Sequence, residues 1–60
     1  MNVYIVETRA AGSGHRLVFT LREMAEDSAI AEARRLAIQR WDRTHIRVEG
    51  PVEAKTLRVE

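Results

Sequence analysis

The chain is expected to fold as an α+β domain of order ββαββ, with one helix packed on one face of an antiparallel sheet. Three observations predict it. Two stretches near the start and two near the end alternate apolar and polar residues with a period of two. Between them lies a segment, about 28 to 42, whose apolar residues recur at helical spacing. The joins carry the turn formers Gly12-Ser13-Gly14 and Gly50-Pro51.

Val3 to Arg9 and His15 to Arg22 read as a hairpin across Ala10-Ala11-Gly12-Ser13-Gly14. Leu17, Phe19 and Leu21 alternate with Arg16, Val18, Thr20 and Arg22, so the second strand has one apolar face. A five-residue loop sets Ile5 opposite Phe19 and Val3 opposite Leu21, and these four are expected to share the buried face. Glu7 then sits at the rim beside Leu17. Tyr4, Val6 and Val18 fall on the opposite face, with Tyr4 meeting Thr20 and Val6 meeting Val18. That is one apolar strip more than a single core needs.

The helix is expected from Ser28 to about Asp42, with Ser28 as a plausible N-cap. Glu26 and Asp27 suit its positive start, and Arg40 and Arg43 its negative end. Thr20 and Glu23 also have capping-box spacing, which leaves the start open between Thr20 and Ser28. Ile30, Ala33, Leu36, Ala37 and Trp41 form the stripe laid on the sheet, and Ile38 points away from it. Thr44 to Glu49 is expected to be a third strand, with Ile46 and Val48 inward and His45, Arg47 and Glu49 outward. Leu57 and Val59 mark a short fourth. A helical crossing brings the third strand beside the first, giving the order 2-1-3-4.

Sixty residues, 1–60, make a single domain with no room for a second core. So short a chain buries only about 60 % of its unfolded surface, which makes self-association or binding to something larger a route to stability. Cysteine is absent, so neither a disulfide nor a thiolate metal cage supplements the core. No apolar run approaches the about 20 residues of a membrane span and no signal sequence opens the chain, so a cytoplasmic protein with no membrane partner is expected. Net charge is +1, with nine acids against ten bases, nine of them arginine. Such a balance argues against a strong nonspecific nucleic-acid binder.

Catalytic chemistry finds no support. His15 and His45 are far apart in sequence and no spacing suggests a triad or a metal site, so no catalytic residue, metal or cofactor is assigned. Gly12-Ser13-Gly14 has the composition of an anion nest, but no helix follows it as in a phosphate loop.

Two surfaces are candidates for partner binding. The outer sheet face is expected to carry Tyr4, Val6, Val18, Arg16 and Arg47, together with His45 and Arg58. The helix carries Arg34, Arg35 and Ile38 on its side or back, either as a binding ridge or as a solvated face with a Glu32–Arg35 pair. The sheet face fits a protein or ribonucleoprotein partner or a second copy of the chain. It also fits nucleic acid, with Tyr4 stacking on bases and arginines on phosphate.

The opening Val3-Tyr4-Ile5-Val6-Glu7 strand, the helical Glu32-Ala33-Arg34-Arg35-Leu36-Ala37 and the following Ile46-Arg47-Val48-Glu49 resemble very small phage and mobile-element proteins, including some type I anti-CRISPR proteins. The resemblance implies a non-enzymatic inhibitor in a host cytoplasm. Such proteins dock on CRISPR surveillance complexes and block DNA recognition or nuclease recruitment. It lies in strand and helix patterning and transfers no contact residue.

Overall fold

A computed structural model describes residues 1–60. It contains strands β1 (Asn2–Ala10) and β2 (Arg16–Glu23), helix α1 (Glu26–Arg43) and strand β3 (Val52–Arg58). The sheet has three antiparallel strands in the order β2-β1-β3, and α1 packs on one face. The α+β class is as expected, but the sheet has three strands rather than four. Residues 44–49 form no strand, and the place beside β1 belongs to the last segment of the chain, which is longer than its two apolar residues suggested.

The hairpin register also differs, by one residue. Tyr4 pairs with Leu21, Val6 with Phe19 and Thr8 with Leu17. The buried face of β1 is therefore Tyr4, Val6, Thr8 and Ala10, all at most 4 % exposed, and not Val3 and Ile5. Charge explains the choice. Val3 and Ile5 are continued along their face by Glu7 and Arg9, whereas Tyr4 and Val6 are continued by Thr8 and Ala10. Burying the even face leaves both ionic groups in water, and an unpaired buried charge costs far more than either apolar pair contributes. Thr8 keeps its hydroxyl satisfied by donating to the Leu17 carbonyl at 2.8 Å. Four loop residues, Ala11 to Gly14, close the turn with Gly12 and Gly14 both at positive φ.

The helix lays a row of Ala29, Ala33, Ala37 and Trp41 on this face, one residue per turn at a spacing of four. Small side chains let the helix approach the sheet closely. Ala29 and Ala33 meet Tyr4 and Val6, and Ala37 and Trp41 meet Ala10 and Val52. Phe19 packs against both groups and joins them. Ile30 and Leu36 flank the row half-buried. The N-cap is Ala25, which has no capping side chain, rather than Ser28; Asp27 instead accepts from the Ser28 amide at 3.0 Å within the first turn.

The helix end explains the missing strand. Thr44 donates its hydroxyl to the Arg40 and Trp41 carbonyls, both at 3.1 Å. His45 follows in the left-handed region (φ 60°), its amide donating to Asp42 O and that of Ile46 to Trp41 O. This is a Schellman-type stop, and Ile46 folds back against the cluster of Ala10, Ala37, Trp41 and Val52. The backbone of 44–46 is thus committed to closing the helix. Ile46 and Val48 still point inward, as the alternation predicts, but from a loop. Gly50 passes under Ala11, where an added Cβ would come within 3.3 Å of the Ala11 Cβ. One buried polar atom has no partner, the Thr56 hydroxyl.

Candidate functional site

Since α1 covers one side of the sheet, the odd residues of β1 and β3 and the even residues of β2 form an open outer face. Its residues lie in cross-strand rows: Thr20–Ile5–Leu57, then Val18–Glu7–Lys55, then Arg16–Arg9–Glu53. Beyond the first row Val3 stands opposite Arg22, and the Val59 amide donates to Val3 O at 2.8 Å. The face is therefore divided along the strands. One end is apolar, with Ile5 37 % and Leu57 63 % exposed, and Val18, 61 % exposed, lies diagonally one row along. The other is ionic, with Arg9 and Glu53 paired at 3.6 Å. A shallow hollow of about 230 Å³ lies at the ionic end among Glu7, Arg9, Arg16, Glu53 and Lys55.

The structure distributes the expected site residues unevenly. Val18 and Arg16 lie on the outer face, in adjacent rows of β2 toward its ionic end. Tyr4 and Val6 do not: the one-residue register shift turns them into the core, so neither is available to a partner. Arg47 sits in the 44–51 loop, paired with Glu49 at 3.3 Å, and His45 ends the helix, so both leave the sheet. Arg58 is an even residue of β3 and belongs to the helix side, with Nε donating to Glu60 O at 3.4 Å. Val3, Ile5 and Leu57 were missed as surface. Their signal was available, because each lies on the same strand face as a charged residue: Glu7 and Arg9 on β1, Glu53 and Lys55 on β3.

The helix residues separate as well. Arg35 is held by Glu32 one turn earlier through two guanidinium contacts. That hydrogen bond and the charge attraction hold the Glu32 carboxyl below its ordinary range and raise the Arg35 guanidinium. Arg34 reaches the other way, and its Nε donates to the Val52 carbonyl at 3.0 Å, tying α1 to the start of β3. Ile38 is half exposed beside a groove of about 560 Å³ lined by Arg34, Val48, Gly50, Pro51 and Val52. A single continuous arginine ridge is therefore not present.

No group of three His, Asp or Glu side chains is placed to hold a metal ion. No helix is long and apolar enough to cross a membrane. Comparison with protein-family models, with curated proteins and with solved structures found no match.

Proposed function

We propose that this chain is a non-enzymatic binding domain that docks on a protein surface through the apolar end of its outer sheet face. The observation that carries the reading is the adjacency of Ile5, Leu57 and Val18 with Val3 on the side of the sheet that α1 leaves uncovered. A contiguous apolar patch rimmed by arginine, here Arg22 and Arg16, has the character of a protein contact. The nucleic-acid alternative keeps only Arg16 of its expected arginines on this face and loses its stacking group, since Tyr4 is buried and the outer face carries no aromatic residue.

The narrower form of the proposal is an anti-CRISPR-like inhibitor docking on a ribonucleoprotein surveillance complex in a host cytoplasm. The sequence resemblance supports it. Binding to a purified type I surveillance complex tests both levels, using Val18→Glu and Leu57→Glu on the outer face and Arg35→Glu on the helix. The expected result is loss of binding by about tenfold or more for each sheet variant and little change for the helix variant. Unchanged binding by both sheet variants refutes the docking face. No binding by the wild type refutes the inhibitor form.

A further inference from the structure

We infer that β3 is a homodimerisation edge, pairing antiparallel with β3 of a second copy about a two-fold axis at Ala54 to give one six-stranded sheet. This goes beyond the docking face above, which the pairing leaves open.

The starting point is which backbone groups are free. The ladder between β1 and β3 runs through odd residues of β3, as Val59 N donating to Val3 O shows, and Ala11 N donates to Pro51 O just before the strand. The amides and carbonyls of Val52, Ala54, Thr56 and Arg58 therefore point to the outer edge. Arg34 is the one side chain that hydrogen-bonds this edge, at Val52 O, and that oxygen keeps a second lone pair.

Charge then selects the occupant and the register. An antiparallel partner must align outward-pointing residues with outward-pointing residues, so the axis falls on a residue and not between two. An axis at Glu53 sets glutamate against glutamate, and one at Lys55 sets lysine against lysine. An axis at Thr56 sets Lys55 against leucine. At Ala54 alone, Glu53 faces the partner's Lys55 and Lys55 faces the partner's Glu53. These are non-hydrogen-bonded pairs, the closer kind, where opposite charges interact best. The pairs also extend charges already ordered within one chain. Glu7 stands opposite Lys55 and Arg9 opposite Glu53. The joined row reads Glu7, Lys55, the partner's Glu53, the partner's Arg9, alternating in sign, and symmetry supplies it twice.

The helix side fits the same register. A two-fold axis normal to the sheet keeps both helices on one face. Small Ala54 meets its own copy at the axis, and the partner's Thr56 and Arg58 arrive beside Val52 and Gly50 at the mouth of the Ile38 groove. The other edge offers nothing comparable. The outward row of β2 is Arg16, Val18, Thr20 and Arg22, which contains no acid for any self-register to match. A lysine in an edge strand ordinarily discourages pairing. Here it discourages every self-register but one, which yields a closed dimer rather than an open chain of sheets.

Sedimentation of the purified chain over a concentration series tests this, with Lys55→Glu, Glu53→Lys and their equimolar mixture. The wild type is expected to dimerise. Each single variant should weaken association by about tenfold, since Lys55→Glu leaves only acids at the two positions and Glu53→Lys only bases. The mixture should regain it as a heterodimer, because each chain then meets opposite charge at both positions. Circular dichroism of each variant verifies that the overall secondary structure is kept. A wild type that stays monomeric up to about 1 mM overturns the inference. So does a dimer that is indifferent to both substitutions, or singly weakened variants that mixing does not rescue. None of these outcomes bears on whether Val18→Glu or Leu57→Glu releases an outside partner, so the two proposals fail separately.

Discussion

Val6 and Val18 are the same residue type on adjacent strands of one hairpin, and replacing each by alanine isolates burial from chemistry. Val6 is fully buried between Tyr4 and the Ala29–Ala33 segment of α1, whereas Val18 is 61 % exposed on the other face. Val6→Ala removes two buried methyl groups, about 1.6 kcal/mol at about 0.8 each. A residual void of about 40 Å³ adds about 1 kcal/mol at about 24 cal/mol per Å³, because the neighbouring alanines have no side chain that can turn into the gap. The expected loss is therefore about 2–3 kcal/mol. Val18→Ala forfeits only the covered part of the same groups, leaves no cavity and should cost about 0.5 kcal/mol.

Urea unfolding followed by Trp41 fluorescence and far-ultraviolet circular dichroism measures both. With a slope of about 1 kcal/mol per molar for a chain this small, Val6→Ala should lower the midpoint by about 2 M more than Val18→Ala does. Sulfate can be added equally to all samples if the native baseline of Val6→Ala is short. Equal losses, or a larger loss at Val18, would refute the register that places Tyr4 and Val6 under the helix.

Two further substitutions test the local chemistry. His45→Gly should stabilise the fold by about 0.5–1 kcal/mol in the same urea assay, because a left-handed L-residue carries about 1–2 kcal/mol of strain and glycine returns part of the gain as chain entropy; a destabilised variant would mean the imidazole makes a contact that the cap geometry does not require. Thr56→Val keeps the shape of the side chain while removing the buried hydroxyl that has no partner, and should raise stability by about 1 kcal/mol. A loss instead would show that the hydroxyl is satisfied, for example by water.

The helix is the most legible element, since Ala33, Ala37 and Trp41 are on the buried face as expected, although Ala29 completes the row while Ile30 and Leu36 only flank it. Its start was less so, because Ala25 caps it with backbone alone and two polar signals nearby compete. The third strand failed for a reason that alternation cannot express. Ile46 and Val48 do face inward, but the amides that a strand would offer to β1 are used by Thr44, His45 and Ile46 to end the helix. A histidine, where glycine is usual at that position, concealed the stop. β3 is longer than the sequence suggests because its inward series Val52, Ala54, Thr56 is only weakly apolar, while Leu57 lies on the outer face. Of the candidate residues, Val18 and Arg16 lie on the outer face that the β2 alternation predicts, whereas Tyr4 and Val6 are inverted by one register choice.

That choice also changes what the apolar surplus means. β1 is the central strand, and in its first half both faces are apolar: Tyr4 and Val6 on one, Val3 and Ile5 on the other. In its second half only one is, because Glu7 and Arg9 replace the outer pair. A central strand covered by a helix on one side needs just one apolar face, so the second half has what the monomer requires. The first half has more. Leu57 stands beside Ile5 on β3, and Val18 lies one row along on β2, so the excess spans three strands rather than one. Random substitution of a solvated face tends to scatter single apolar residues, which need no explanation. Clustering at one end, with the ionic rows at the other, divides the face into a part suited to contact and a part suited to water. A partner that follows this division should bury the Ile5 end and leave the Arg9–Glu53 end solvated, and its affinity should depend little on salt.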